Sequence, residues 1–180
     1  MRIVARASPA FVPRVILAHA LARAGAREES ESVFKEIDPR TLPRDSNWLA
    51  ALALLAEVTA HLRVRDGAEE LYAELLPYRD LIAMQGWFGV CFGSVERPLA
   101  LLARTLGRDA PAREHFEIAI RTNEKLGAQP WTARCELEYA RLLERGDRRD
   151  RARASRLLTQ AARTAERLGV LDVLEGLERG

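Results

Sequence analysis

The sequence predicts an all-α chain, a stack of about four antiparallel helical hairpins. Three observations carry that expectation. Apolar residues recur at helical spacing throughout, strand-type alternation is nearly absent, and one order of small and large residues returns four times along 180 residues. The periodicity is plainest in Trp48, Leu52, Leu55, Thr59 and Leu62, and again in Leu157, Leu158, Ala161, Ala162, Ala165 and Leu168. A helix turns once in about 3.6 residues, so each set lines one face that must be buried against a neighbour.

Taken in order, the first hairpin lies near 11–43, with helices expected at 13–24 and 27–37. The second lies near 46–80 (helices 46–65 and 68–76), the third near 91–127 (94–106 and 110–126), and the fourth near 130–169 (130–145 and 150–168). Gly25, Gly67, Gly107, Gly127, Gly146 and Gly169 stand where helices stop and a left-handed residue closes the last turn. Asp109 before Pro111, and Pro130 before Trp131, read as helix starts, because a first turn lacks partners for its N–H groups. Between the second and third hairpins, Gln85-Gly-Trp-Phe-Gly89 is the one long irregular stretch, which makes Trp87 and Phe88 a candidate binding loop.

The internal repeat argues for a stacked array over a plain bundle. Ala18, Ala56, Ala100 and Ala140 align, each preceded by a large residue: Leu17, Leu55, Leu99 and Tyr139. A second small residue follows at Ser30, Ala68, Ala112 and Ala154, and a bulky one four positions later at Phe34, Tyr72, Phe116 and Leu158. Small residues let two helices approach closely, and the large one fills the gap to the next pair. That is the logic of tetratricopeptide (TPR) repeats, so the expected architecture is a TPR-like α-solenoid forming a single repeat domain over 1–180. The units are 38, 44 and 40 residues apart, longer than the roughly 34 of the type repeat. In the fourth unit an extra Arg148–Asp150 turn absorbs the added length.

Composition is that of a soluble protein, 48% hydrophobic and 30% charged, with a net charge of +2 that by itself points to no polyanion. Cys91 and Cys135 lack metal-type spacing and read as two reduced core thiols. No targeting segment is visible, and the longest apolar run, Trp48 to Ala56, is far short of a membrane span, so the expected location is cytoplasmic. His19, His61 and His115 show no convergent third ligand for a metal. No Ser/His/Asp, Cys/His or paired-carboxylate constellation can be placed, so neither catalysis nor a cofactor is expected.

Several segments resemble the C-terminal helical-repeat region of large bacterial signalling ATPases. They are Trp48-Leu-Ala-Ala-Leu-Ala-Leu-Leu-Ala-Glu57, Leu71-Tyr72 with Leu75-Leu76-Pro77-Tyr78, Cys91-Phe-Gly-Ser-Val95 with Arg97, Leu106-Gly-Arg108 with His115-Phe116, and Leu126-Gly127 with Pro130-Trp131 and Tyr139-Ala-Arg141. In that family an ATPase core precedes the repeats and is joined to a nucleotidyl cyclase or a LuxR-type DNA-binding domain. The resemblance implies a sensor or scaffold role. Neither Lys35 nor Lys125 follows a glycine, so a GxxxxGK[ST] phosphate loop is absent and no ATPase residue carries over.

In such an array the first helices line a concave groove. The residues placed there are Glu57, His61, Arg97, Arg104, Arg134, Arg141 and Arg145, with His19 and Arg23 beside them. Five guanidiniums around one concavity would repel each other unless compensated, which points to a protein partner or an acidic peptide segment. The expected function is therefore a non-catalytic interaction or regulatory scaffold in a signalling or transcription-regulating protein. A small-effector sensor is the alternative. A nucleic-acid contact through Arg145-Gly-Asp-Arg-Arg-Asp-Arg151, Arg153 and Arg156 is less favoured, because Asp147 and Asp150 interrupt the run and no aromatic residue accompanies it.

Overall fold

The computed structural model describes residues 11–86 and 89–178, and helix dominates them. In chain order the elements are α1 (Phe11–Arg23), α2 (Arg27–Lys35), α3 (Trp48–Leu62), α4 (Ala68–Leu75), the strands β1 (Ile82–Gln85) and β2 (Val90–Ser94), then α5 (Glu96–Thr105), α6 (Asp109–Leu126), α7 (Gln129–Leu143), α8 (Arg148–Leu168) and α9 (Leu171–Glu178). Each of the eight helices expected from the sequence is present. Three features differ: the strand pair, α9, and a first turn of α8 made by the residues expected to form a loop at 148–150. Among the described residues no helix is long and apolar enough to cross a membrane. The chain divides after Leu106 into two compact units.

In the first unit α3 is the central element, packed by α1, α4, α5 and β1. Its sequence explains this placement. Ala and Leu run almost unbroken from Ala50 to Ala56, so no polar face remains, and every one of those residues is buried. Ser30 Oγ donates to the Ala18 carbonyl at 2.8 Å, which closes α2 on α1 through the expected small pair. Ala56 and Ala68, which align with Ala18 and Ser30 in the sequence, are fully buried. Arg63, with φ 56°, ends α3 in the left-handed conformation expected of Gly67, while Gly67 precedes α4. Leu17 is 48% exposed, whereas its register equivalents Leu55, Leu99 and Tyr139 are at most 1% exposed.

The stretch read as irregular is flanked by β1 and β2, which pair antiparallel with Met84 opposite Cys91 and Gln85 opposite Val90. Its strands are too short for alternation to register in a sequence window, and a bulge between Ile82 and Met84 breaks the period further. Ala83 and, partly, Phe92 join the core of the first unit. Trp87 and Phe88 lie outside the described residues.

In the second unit α7 packs against α6, α8 and α9. Phe116, fully buried, stacks on Tyr139 with ring centroids 5.6 Å apart. Ala133, Leu137, Ala161, Ala165, Val170 and Val173 form a second core. Asp147 caps α8 by accepting the Asp150 N–H at 2.9 Å. Gly146 does not adopt the expected left-handed conformation. It is needed for space instead, since a Cβ there would lie 2.0 Å from an Asp150 carboxylate oxygen.

Candidate functional site

Three of the polar residues placed in the groove by sequence meet on neighbouring first helices of the first unit. His19 comes from α1, Glu57 from α3 and Arg97 from α5, and α3 packs against both of the others. Arg97 Nη1 donates to Glu57 Oε1 at 2.6 Å, and His19 Nε2 lies 3.1 Å from Glu57 Oε2. His19 follows Ala18 and Glu57 follows Ala56, two alanines that align in the sequence, and the two side chains lie side by side. The Arg97 side chain is 3% exposed and that of Glu57 12%, so this is a charge pair drawn largely out of water. Burial alone would raise the pKa of Glu57. The Arg97 charge and the His19 hydrogen bond outweigh it and hold the carboxyl far below the usual carboxylate range. A fixed carboxylate can clamp and orient, but it cannot supply a proton near neutrality.

The remaining residues expected in the groove divide between the units. His61 is exposed on the last turn of α3, where its carbonyl accepts from Arg27 Nη1 at 3.3 Å. Arg104 is half-buried on α5. Arg134, Arg141 and Arg145 belong to the second unit, and two of them are not the uncompensated guanidiniums expected. Arg134 makes a two-pronged bond to Asp172, at 2.7 and 2.8 Å, and its guanidinium lies 4.5 Å from the centre of the Trp131 ring. Arg141 donates to the Gly176 carbonyl at 2.6 Å. Both acceptors come from α9, the helix that the sequence reading lacked. With Arg97 also paired to Glu57, the five arginines are not the crowded, uncompensated set expected to draw an acidic ligand. Arg145 is exposed.

A cavity of about 190 Å³ opens elsewhere in the first unit, and sequence reasoning missed it. Leu42, Trp48 and Leu71 supply its apolar lining, and Arg40, Arg44, Glu70 and Glu74 its charged groups. Trp48 is held edge-on by Tyr78, with centroids 5.1 Å apart, and covered by the Arg44 guanidinium at 4.6 Å. Arg44 also pairs with Glu74. The only signal in sequence was the charged, proline-broken connection Asp38-Pro-Arg-Thr-Leu-Pro-Arg44 leading into Trp48.

A second buried carboxylate stands apart. Glu136 on α7 is 5% exposed, and burial, with the charge of Glu124, pushes its pKa up to about 7. Cys91 is half-buried and Cys135 buried, where its Sγ lies 3.5 Å from Asn123 Nδ2. Among the described residues no three His, Cys, Asp or Glu side chains gather as a metal-binding set. No family model matches the chain, and no curated protein or solved structure matches it.

Proposed function

We propose that the chain is a non-catalytic interaction module with TPR-like repeat architecture, whose first helices in the first unit present a common face to an extended segment of a partner protein. The observation that carries this reading is the alignment of α1, α3 and α5, with α3 packed against both neighbours and equivalent positions converging at His19 and Glu57. Burial supports the repeat: Ala18, Ala56, Ala100 and Ala140 are all fully buried, and so, to within 1%, are Ser30, Ala68, Ala112 and Ala154. The clamp of His19, Glu57 and Arg97 fixes the spacing of the three helices, and Arg23 and His61 stand exposed on the last turns of α1 and α3. A role in a bacterial signalling or transcription-regulating protein follows from the resemblance alone, by analogy.

Photo-crosslinking in extracts of the source cell tests it. A photoreactive residue at position 23 or 61 captures one and the same protein, and one at position 28 or 69, on the second helices, does not. Capture only from positions 28 and 69 refutes the first-helix face.

A second reading, sensing of a small effector, has the Trp48 cavity in its favour. Its size suits a ligand smaller than most drug-like molecules, with an aromatic or aliphatic body and one charge. Quenching of tryptophan fluorescence by a metabolite, abolished in Trp48→Leu, would favour it over the scaffold reading.

A further inference from the structure

The Arg-rich segment changes its meaning once folded. In sequence, Asp147 and Asp150 dilute the arginines. In the structure both acids are used locally: Asp147 caps α8, and Asp150 accepts two bonds from Arg113 of α6, at 2.8 and 2.6 Å. What remains is a row. At 3.6 residues per turn, Arg149, Arg153, Arg156, Gln160, Arg163 and Arg167 fall within about a quarter turn of one another and extend for about 27 Å. All six are exposed, and neither carboxylate of the helix, Asp150 or Glu166, lies on that arc. Arg153 is engaged with Glu117 at 2.7 Å and with the Tyr139 ring, and Arg167 reaches Gln129 at 3.3 Å. Arg149, Arg156 and Arg163 have no ion pair or hydrogen bond among the described residues. About a third of a turn away, α8 is anchored by buried Ala154, Leu157, Ala161 and Ala165, so the row is held on a packed element.

We propose that this face of α8 docks on the sugar-phosphate backbone of a nucleic-acid duplex. The partner class follows from what the row contains and lacks. Guanidinium forks match phosphate oxygens in pairs. The arc carries no aliphatic or aromatic residue, whereas a protein interface needs an apolar centre with aromatic anchors. It also offers no ring for stacking unpaired bases, which sets single strands aside. Contacts of this kind position without reading sequence, so binding is non-specific and salt-dependent. The inference is independent of the first-helix face and stands or falls without it.

Fluorescence anisotropy of a labelled 20-base-pair DNA duplex, titrated with the full chain between 50 and 200 mM KCl, is the test. Binding is expected with a dissociation constant of about 10⁻⁶ to 10⁻⁴ M and a log–log salt slope between about −3 and −4.5, as three to five phosphate contacts require. Arg156→Gln with Arg163→Gln weakens it at least about tenfold and flattens the slope by about two. The control pair Arg14→Gln with Lys35→Gln removes the same charge from exposed positions of the first unit and leaves affinity within about twofold. Circular dichroism of both variants confirms that they fold. Absence of binding at 50 mM KCl, or equal losses in the two double variants, overturns the proposal. So does tighter binding to labelled polyglutamate or to phosphatidylserine vesicles than to the duplex.

Discussion

Two buried glutamates respond to pH in opposite senses. The folded-state pKa of Glu57 is depressed, so its contribution is present above the ordinary carboxylate pKa and is lost as pH falls toward the folded value. Glu57→Gln leaves Arg97 buried beside a neutral amide and is expected to cost about 3–5 kcal/mol at pH 7, and less in acid. Glu136 is raised to about 7, so the folded state binds the extra proton. Stability from this group is full below about pH 4.5 and declines as pH rises through 7, by up to about 3 kcal/mol. Urea titrations of Glu136→Gln should show that decline removed. An unchanged pH profile between 5 and 8 would mean that Glu136 does not hold its proton. Phe116→Ala makes a third residue-scale test, since it empties the space under Tyr139 and is expected to cost about 3–5 kcal/mol. A loss below about 1 kcal/mol would mean that the repeat register is misplaced.

At the scale of elements, what the sequence disclosed depended on length and local chemistry. Helices of 13 to 21 residues such as α1, α3, α6, α7 and α8 repeat their apolar stripe often enough to be read, and Asp109 and Pro130 in the first turns of α6 and α7 follow first-turn chemistry. The strands, of four and five residues, do not repeat long enough. The eight residues of α9 follow a stop at Gly169 that looks final, and its Asp172 becomes meaningful only when it meets Arg134. Half of the clamp was equally legible: position placed His19, Glu57 and Arg97 on one side, but pairing depends on distances that sequence does not carry. Gly146 was read for the wrong property. Because its Cβ would crowd the carboxylate that grips Arg113, Gly146→Ala should displace Asp150 and lower the melting temperature by several degrees. An unchanged melting temperature would show that Asp150 moves aside at no cost.

For the whole molecule, packing sets two helices of the first unit apart: α3 is buried along most of its length, with His61 exposed on its last turn, while α1 keeps an exposed side. α3 has a first helix on each side, α1 and α5, whereas α1 packs on α2 and α3 and leaves Ile16 and Leu17 exposed. In the proposed stack, each hairpin relies on its neighbours for cover, and the proposed binding face is built from positions repeated along the first helices. On the proposed function, this face and not the second helices takes up a partner. Hydrogen–deuterium exchange of the chain, free and bound to the protein captured by crosslinking, tests it most directly. Slowed exchange on binding is expected in peptides from α1, α3 and α5, with α2 and α4 unchanged. Slowing confined to α2 and α4 would contradict it.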